Sequence, residues 1–415
     1  MKKIFAFLLI VTFIIPKSSF AAKDVITLNE KINSLLSEIE TMEFLAKPQN
    51  LPKLSTDEKK RVIKNGVAWL QNSQESNGHF AYEYLPFDDT YRDDDNIVRQ
   101  AGALFQLGEV ARRDTGNVYD VSENLKNGIK YFEKLSKPGR YNGKKFRCVV
   151  NFADSTTCKL GATSLALIGI VSFVEAEPEQ KKEYEKLMGD YVQYILAMKK
   201  PSAGFSNNFY VDDNSAAEEE SSFFNGEALL ALTRYQNLNS GNSEVGRVIN
   251  ETFDYFNSPK VIYDTALYLW AMAAIKDMNA DAPRAEYSTY AKRYTDWRKG
   301  PLATKRSSDH NTCAYIEGVA SAYSIMENSL SPNEAKYYKE EIDFWLAKSA
   351  LLQINQNDLV KYDSKTATFV RAPEPRLALG GFLTGHDELT QRIDFTQHCL
   401  SSYIQTLVDI EGETF

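Results

Sequence analysis

Positive charge is in short supply in this chain: 48 Lys and Arg stand against 56 Asp and Glu, for a formal net charge of −8. That balance excludes a nucleic-acid partner, because phosphate binding needs a basic surface. A neutral sugar is compatible with it. A membrane-spanning run is missing too. The apolar run Ile4–Ile15, broken only by Thr12, is about 12 residues long, short of the roughly 20 that a spanning helix needs. No later run reaches that length. Lys2 and Lys3 precede the run, Pro16 ends it, and Ser19-Phe20-Ala21 offers small residues beyond it. It therefore reads as a secretory leader, residues 1–21, cleaved after Ala21 or else after Ala22. No cysteine follows the cut directly, so a lipoprotein anchor is not expected. Losing Lys2, Lys3 and Lys17 takes the net charge from −8 to −11. The expectation is a soluble exported protein, periplasmic or secreted.

Cysteine and histidine are equally scarce, four of each. An even cysteine count in an oxidising compartment points to two disulfides. Cys148 and Cys158 are close enough to staple a short loop or hairpin, which leaves Cys313 and Cys399 to join two helices distant in sequence. The alternative is a zinc site in which Cys313 and Cys399 ligate with His398 or His310. Export favours the disulfide, so no metal and no cofactor is expected.

What the chain has in plenty is helical periodicity. Residues 22–54 read as an extra amphipathic helix (Leu28, Ile32, Leu35, Leu36, Ile39) and a Pro-containing linker. Ser55 or Thr56 then caps the first helix of the main body, residues 55–415. That helix ends in Leu70, Gln74, Gly78 and Phe80, a spacing that resembles the QW-type repeat of terpene cyclase and prenyltransferase toroids. There the Gln ties the backbone of the following Gly-aromatic turn. A weaker echo, without the Gln, runs from Tyr194 to Phe209. Six stretches beginning near Gly102, Gly161, Gly226, Thr265, Glu317 and Asp394 are rich in small residues and apolar through successive turns. Such helices are buried and closely packed. Between them lie helices with one apolar stripe and many charges, for example Glu179 to Met198 and Asn333 to Leu352. Six alternations predict an all-α protein, an (α/α)6 toroid of helical hairpins with an inner and an outer ring. An irregular bundle or superhelix of hairpins has the same periodicity.

Read in order, NIVRQAGALFQL, KLGATSLALIGIV, FFNGEALLAL, DTALYLWAMAA, NTCAYIEGVASAY and GGFLTGHDELTQRIDFTQHCLSSYI resemble the six-hairpin glycosidase-like and terpenoid-cyclase-like toroid proteins of bacteria, from Lys60 to Leu407. The resemblance implies a site at one end of the barrel. It leaves open glycoside hydrolase, polysaccharide lyase, sugar epimerase, cyclase and prenyltransferase chemistry. Asp93-Asp94-Asp95-Asn96 departs from the DxDD signature of one cyclase class, and His398-Cys399 reverses the Cys-His pair of the lanthionine cyclases.

Candidate acids and bases stand at the starts of the inner helices: Asp94, Asp95, Glu227, Asp264, Glu317 and Asp394. Cleavage of a glycosidic bond needs one carboxyl kept protonated by burial and another kept ionised, here near Arg99 or Arg392. In a lyase or epimerase, His310 or His398 would remove a proton alpha to a uronate carboxylate that Arg99 or Arg392 neutralises. Asp394 and His398, at i and i+4, share one helix face. Tyr82, Tyr84, Phe223, Phe224 and Tyr263 suit sugar stacking at a toroid mouth, with Gln397 beside them. Each acid also has a plain use at a helix N-terminus, where carboxylates satisfy free N–H groups. The expectation is a carbohydrate-active protein acting by acid/base chemistry on a polysaccharide or oligosaccharide, with hydrolase, lyase and epimerase all open. The alternatives are a non-catalytic glycan- or protein-binding toroid, or a cyclase or transferase for an isoprenoid or peptide.

Overall fold

The computed structural model describes residues 51–201, 203–303, 310–363, 368–385 and 388–415. The expected leader and nearly all of the expected N-terminal helix lie outside the described residues, as does His386.

Six helical hairpins follow one another: α1 (Thr56–Asn72) with α2 (Ile97–Arg113), α3 (Ser122–Leu135) with α4 (Leu160–Ala176), α5 (Lys181–Met198) with α6 (Ser222–Leu238), α7 (Ser243–Asn257) with α8 (Thr265–Asp281), α9 (Ala285–Ala303) with α10 (Cys313–Met326), and α11 (Pro332–Ala350) with α13 (Ile393–Ile404). A single turn, α12 (Pro375–Ala378), sits inside the last connection. The first helix of each pair is outer and the second inner. α4 shows why: every residue from Leu160 to Val174 is buried, so it needs neighbours on all sides. In α3 only Leu125, Gly128, Ile129 and Phe132 are buried, one stripe of an otherwise polar helix. The inner helices contact one another in the cyclic order α2, α4, α6, α8, α10, α13 and back to α2, so the ring is closed. Outer helices lie against the inner ring; α1, for instance, contacts both α13 and α2. All six apolar stretches picked out by periodicity fall in inner helices.

Local signals set the helix starts. Ser55 and Glu58 form a reciprocal capping box before α1, and Ser331 and Glu334 repeat it before α11, where Pro332 takes the first turn. The connections into the inner helices carry short antiparallel strands. β1 (Glu83–Leu85) and β2 (Thr90–Tyr91) form a three-stranded sheet with β10 (Gln391–Arg392), in which Glu83 pairs with Arg392. The β3 (Ser136–Tyr141) to β4 (Lys144–Val149) hairpin and the β5 (Thr157–Lys159), β6 (Asn208–Tyr210), β7 (Ser215–Ala216) sheet lie beside α4. The last connection carries the hairpin of β8 (Val360–Asp363) and β9 (Thr368–Arg371). Two disulfides form, Cys148–Cys158 between β4 and β5, and Cys313–Cys399 between α10 and α13.

Because the helices alternate in direction, all six inner N-termini open at one end of the ring. The other end is sealed by charge. Glu109 accepts hydrogen bonds from Arg112, Arg113, Arg234 and Ser172, and Arg234 also pairs with Asp277. Arg113 and Lys276 meet on Asp409 at 2.8 and 2.7 Å. Burial raises the Glu109 carboxyl, but the three guanidiniums outweigh it and hold the group well below its ordinary range. Arg112 and Arg113 also lie in the last turn of α2, where cations meet the negative dipole end.

Candidate active site

Three groups of polar side chains gather at the open end. The first is built on the β1–β10 pairing, which brings Tyr82 to Arg392; the Ile393 amide donates to the Tyr82 carbonyl. Asp394, in the first turn of α13, accepts from Arg392 Nε and Nη2 at 3.0 and 2.7 Å and meets Arg99 Nε of α2 at 3.0 Å. Arg99 also bonds to the Tyr82 hydroxyl, and both guanidiniums lie over the Tyr82 ring. Burial alone would raise the Asp394 carboxyl. The Arg392 hydrogen bonds and charge, then Arg99, reverse that and hold it below the ordinary range.

The second group joins α10 to α13. His398 Nδ1 lies 2.8 Å from Glu317 Oε2, and Ser401 Oγ donates to Glu317 Oε1 at 2.6 Å. Glu317 is buried and takes a donor on each oxygen. In its neutral form His398 gives it the Nδ1–H and leaves the lone pair on Nε2, which has no hydrogen-bond partner among the described residues. The ring of Trp270, from α8, stands 5.9 Å from the imidazole. Gln397 Nε2 lies 3.3 Å from the same Nδ1, a contact and not a hydrogen bond when Nδ1 carries the hydrogen, and Gln397 Oε1 packs against Gly102 of α2. The Cys313–Cys399 disulfide ties the two helices one residue from His398.

The third group is Glu227 on α6, three places round the ring from α13. It is 3% exposed, its Oε2 has no partner, and burial pushes its carboxyl up to about 8. A side chain at Gly161 of α4 would collide with this carboxyl and with the Phe224 ring, so the glycine makes the room it occupies. A buried acid with no counter-charge is a proton donor near neutral pH.

Other predicted residues stand elsewhere. Asp95 accepts from the Gln100 amide at 2.8 Å and lies 2.6 Å from His79 Nε2, while Asp94 is exposed and accepts from the Asp95 amide. Asp264 caps α8 through the amides of Ala266 and Leu267. His310 is exposed and bridges to Gly385. Tyr84 bonds to Asp89 and packs on Tyr91, and Tyr263 stacks on Tyr294 of an outer helix. Phe223 is exposed at the start of α6. Among the described residues no cluster of three or more His, Cys, Asp or Glu is placed to hold a metal ion. Both sulfurs of the zinc alternative are taken by the disulfide.

Periodicity missed two features. One is the sealed end. The other is the full extent of the Gly-aromatic repeat. Gln74 donates to the Gly78 carbonyl, as the resemblance implied, and Gln353 repeats this on Gly380; both glycines have positive φ and stand two residues before Phe80 and Phe382. In the first turn Gln100 accepts from the Phe80 amide, donates to the Phe80 carbonyl and bonds to Asp95; at Phe205, Asn225 accepts from the amide and donates to Glu220. A carboxylate followed five residues later by an amide is the signal that marks both clasps.

Solved structures with this architecture include a heparin-specific unsaturated glucuronyl hydrolase (TM-score 0.57, 10% identity, 87% of this chain and 99% of that one). A D-mannose isomerase matches with TM-score 0.57 and 12% identity over 85% and 98% of the two chains. An inactive variant of an α-1,6-mannanase of Salegentibacter, in complex with α-1,6-mannotriose, matches with TM-score 0.54 and 9% identity over 84% and 98%. No protein-family model matches the sequence, and no curated protein matches it. The chain has the six-hairpin glycosidase-like fold, an (α/α)6 toroid.

Proposed function

We propose that this chain is an exported carbohydrate-acting enzyme that moves protons on a sugar held at the open end of the ring. The observation that carries the reading is the Glu317–His398 pair. A buried carboxylate fixes one imidazole nitrogen, and the other is left with a lone pair beside Trp270. That is the arrangement of an oriented general base. Arg99 and Arg392 ring the same opening, and Tyr82 stacks beneath them. The structural neighbours named above act on uronides, mannose and mannans, which supports a glycan as the substrate class. The leader-like N-terminus and the two disulfides support export. On this reading His398 removes a proton from a sugar carbon, as in an epimerase, isomerase or lyase.

A second reading has its own observation. Glu227, protonated near neutral pH, would donate to a glycosidic oxygen, and ionised Asp394 would serve as its partner in hydrolysis. One experiment separates the two. The protein is incubated in D2O with mannooligosaccharides, free mannose and unsaturated uronides, and products are read by mass and proton NMR. Deuterium replacing a sugar C–H hydrogen, or chain shortening with a new carbon–carbon double bond, lost in His398→Gln, supports the base reading. Chain shortening that adds water and forms no carbon–carbon double bond, lost in Glu227→Gln, supports hydrolysis. Turnover that survives both substitutions refutes the site.

A further inference from the structure

α13 runs on into a π-helical segment, Gln405–Ile410. Ser401, Gln405 and Asp409 continue the polar stripe begun by Gln397, along the inside of the ring, and proton transfer at His398 does not by itself require them. They are joined end to end. Lys276 Nζ, from α8, donates to Gln405 Oε1 at 2.8 Å and to Asp409 Oδ2 at 2.7 Å. Ser321 Oγ, from α10, also donates to Gln405 Oε1, at 2.7 Å. Gln405 Nε2 donates to Ser401 Oγ at 3.1 Å, and Ser401 donates to Glu317 at 2.6 Å.

The direction of this chain follows from its members. An ammonium has donors only, so the amide oxygen of Gln405 must face Lys276 and its N–H must face Ser401. Ser401 accepts that N–H and has one proton to give, which goes to Glu317. Glu317 is then an acceptor toward His398 as well. Asp409 holds Lys276 in place and is itself anchored by Arg113 at the sealed end. Glu317, Ser321, Ser401 and Gln405 are buried, where a misdirected donor has no water to satisfy it, and Lys276 and Asp409 close the chain at its less buried end.

Resting on the reading of His398 as the proton-transfer residue, we propose that Lys276, Gln405 and Ser401 are positioning residues. Their hydrogen-bond chain, starting from the Lys276 ammonium, fixes the tautomer of His398 from inside the ring. Its function is to keep the proton on Nδ1, so that Nε2 is always the basic nitrogen presented to the opening. Without Lys276 the Gln405 amide is free to turn over and Ser401 to swing away from Glu317. The buried carboxylate, short of a donor, then takes up a proton from solvent and gives it to Nδ1, which leaves the imidazole hydrogen on Nε2.

The test needs no substrate. The whole protein is labelled with 15N-histidine, and long-range proton–nitrogen correlations are recorded at a pH where the imidazole is neutral. The chain has four histidines, and the His398 signals are those lost in His398→Gln. The parent should show the Nδ1–H form. In Lys276→Met and in Ser401→Ala the Nε2–H form should appear and become the major one. A purely structural role would lower the melting temperature and leave the tautomer unchanged, and that result overturns the proposal, as does an Nε2–H parent. If Lys276→Met does not fold, Ser401→Ala and Gln405→Leu decide. The functional reading fails separately: a tautomer that shifts as expected, with sugar turnover unaffected by His398→Gln, leaves the tether standing and removes His398 from the reaction.

Discussion

Glu227→Gln tests the conflict between burial and charge on which the proton-donor assignment rests. The carboxyl has an ordinary value of 4.5 and is pushed to about 8 by burial in the folded chain. Below about pH 4.5 folded and unfolded chains both hold the proton, and above about pH 8 neither does. In between, the folded chain binds one proton more than the unfolded chain, so this group's contribution to stability falls as pH rises. The gap from 4.5 to about 8, at about 1.36 kcal/mol per pH unit, sets a ceiling of about 5 kcal/mol. Glutamine has the same shape and no proton to lose. The variant should therefore match the parent near about pH 4.5 and exceed it increasingly up to about pH 8, by as much as a few kcal/mol. Urea denaturation of both proteins at several pH values measures this directly. The difference between them is the relevant quantity, because every other titrating group cancels. A difference that stays flat with pH refutes the reasoning, and Glu227 then has a partner or water that satisfies its charge.

Three further outcomes are expected. Glu109→Gln removes the shared counter-charge of Arg112, Arg113 and buried Arg234 and should cost about 3–5 kcal/mol by urea denaturation; a loss under about 1 kcal/mol would mean that the sealed end is hydrated. Thiol titration of the unfolded, unreduced protein should find no free cysteine. Reducing Cys313–Cys399, whose partners are 86 residues apart, should then lower stability by about 4–5 kcal/mol on the chain-entropy account. Gly226→Ala forces a Cβ to 2.5 Å from the Trp270 Cβ and should cost about 1–3 kcal/mol. In Gly189→Ala nothing lies within 4 Å of the new methyl, so melting should rise slightly; equal effects at the two glycines would contradict the close packing of α6 on α8.

The ring was legible before any coordinates because burial on all sides leaves a mark in composition. No soluble helix can be apolar from Leu160 to Val174 unless other helices surround it. The Cys148–Cys158 staple was legible for a similarly local reason, its ten-residue separation. The Gly-aromatic repeat was half visible. Its copy at Gln353 is hidden because the β8–β9 hairpin separates the Gln from Gly380, and spacing was the only cue. Asp394 and His398 share a helix face as an i, i+4 pair, yet their bonds run elsewhere: Asp394 is held by Arg392 two residues away and by Arg99 of another helix, and His398 by Glu317 of another. Asp264 resembled the other acids at inner-helix starts, but its carboxylate serves the first amides of its own helix.

Sequence alone determined the quantities that are sums or periods along the chain: an acidic charge, an even number of cysteines, and six buried rods alternating with amphipathic ones. Tertiary structure decided which polar groups face one another. Glu317 and His398 are 81 residues apart, and Glu109 and Arg234 are 125 apart. A carboxylate's charge state depends on whether a guanidinium, an imidazole or only hydrocarbon lies within a few ångströms of it. Those neighbours come from ring closure, which brings together side chains with no relation along the chain.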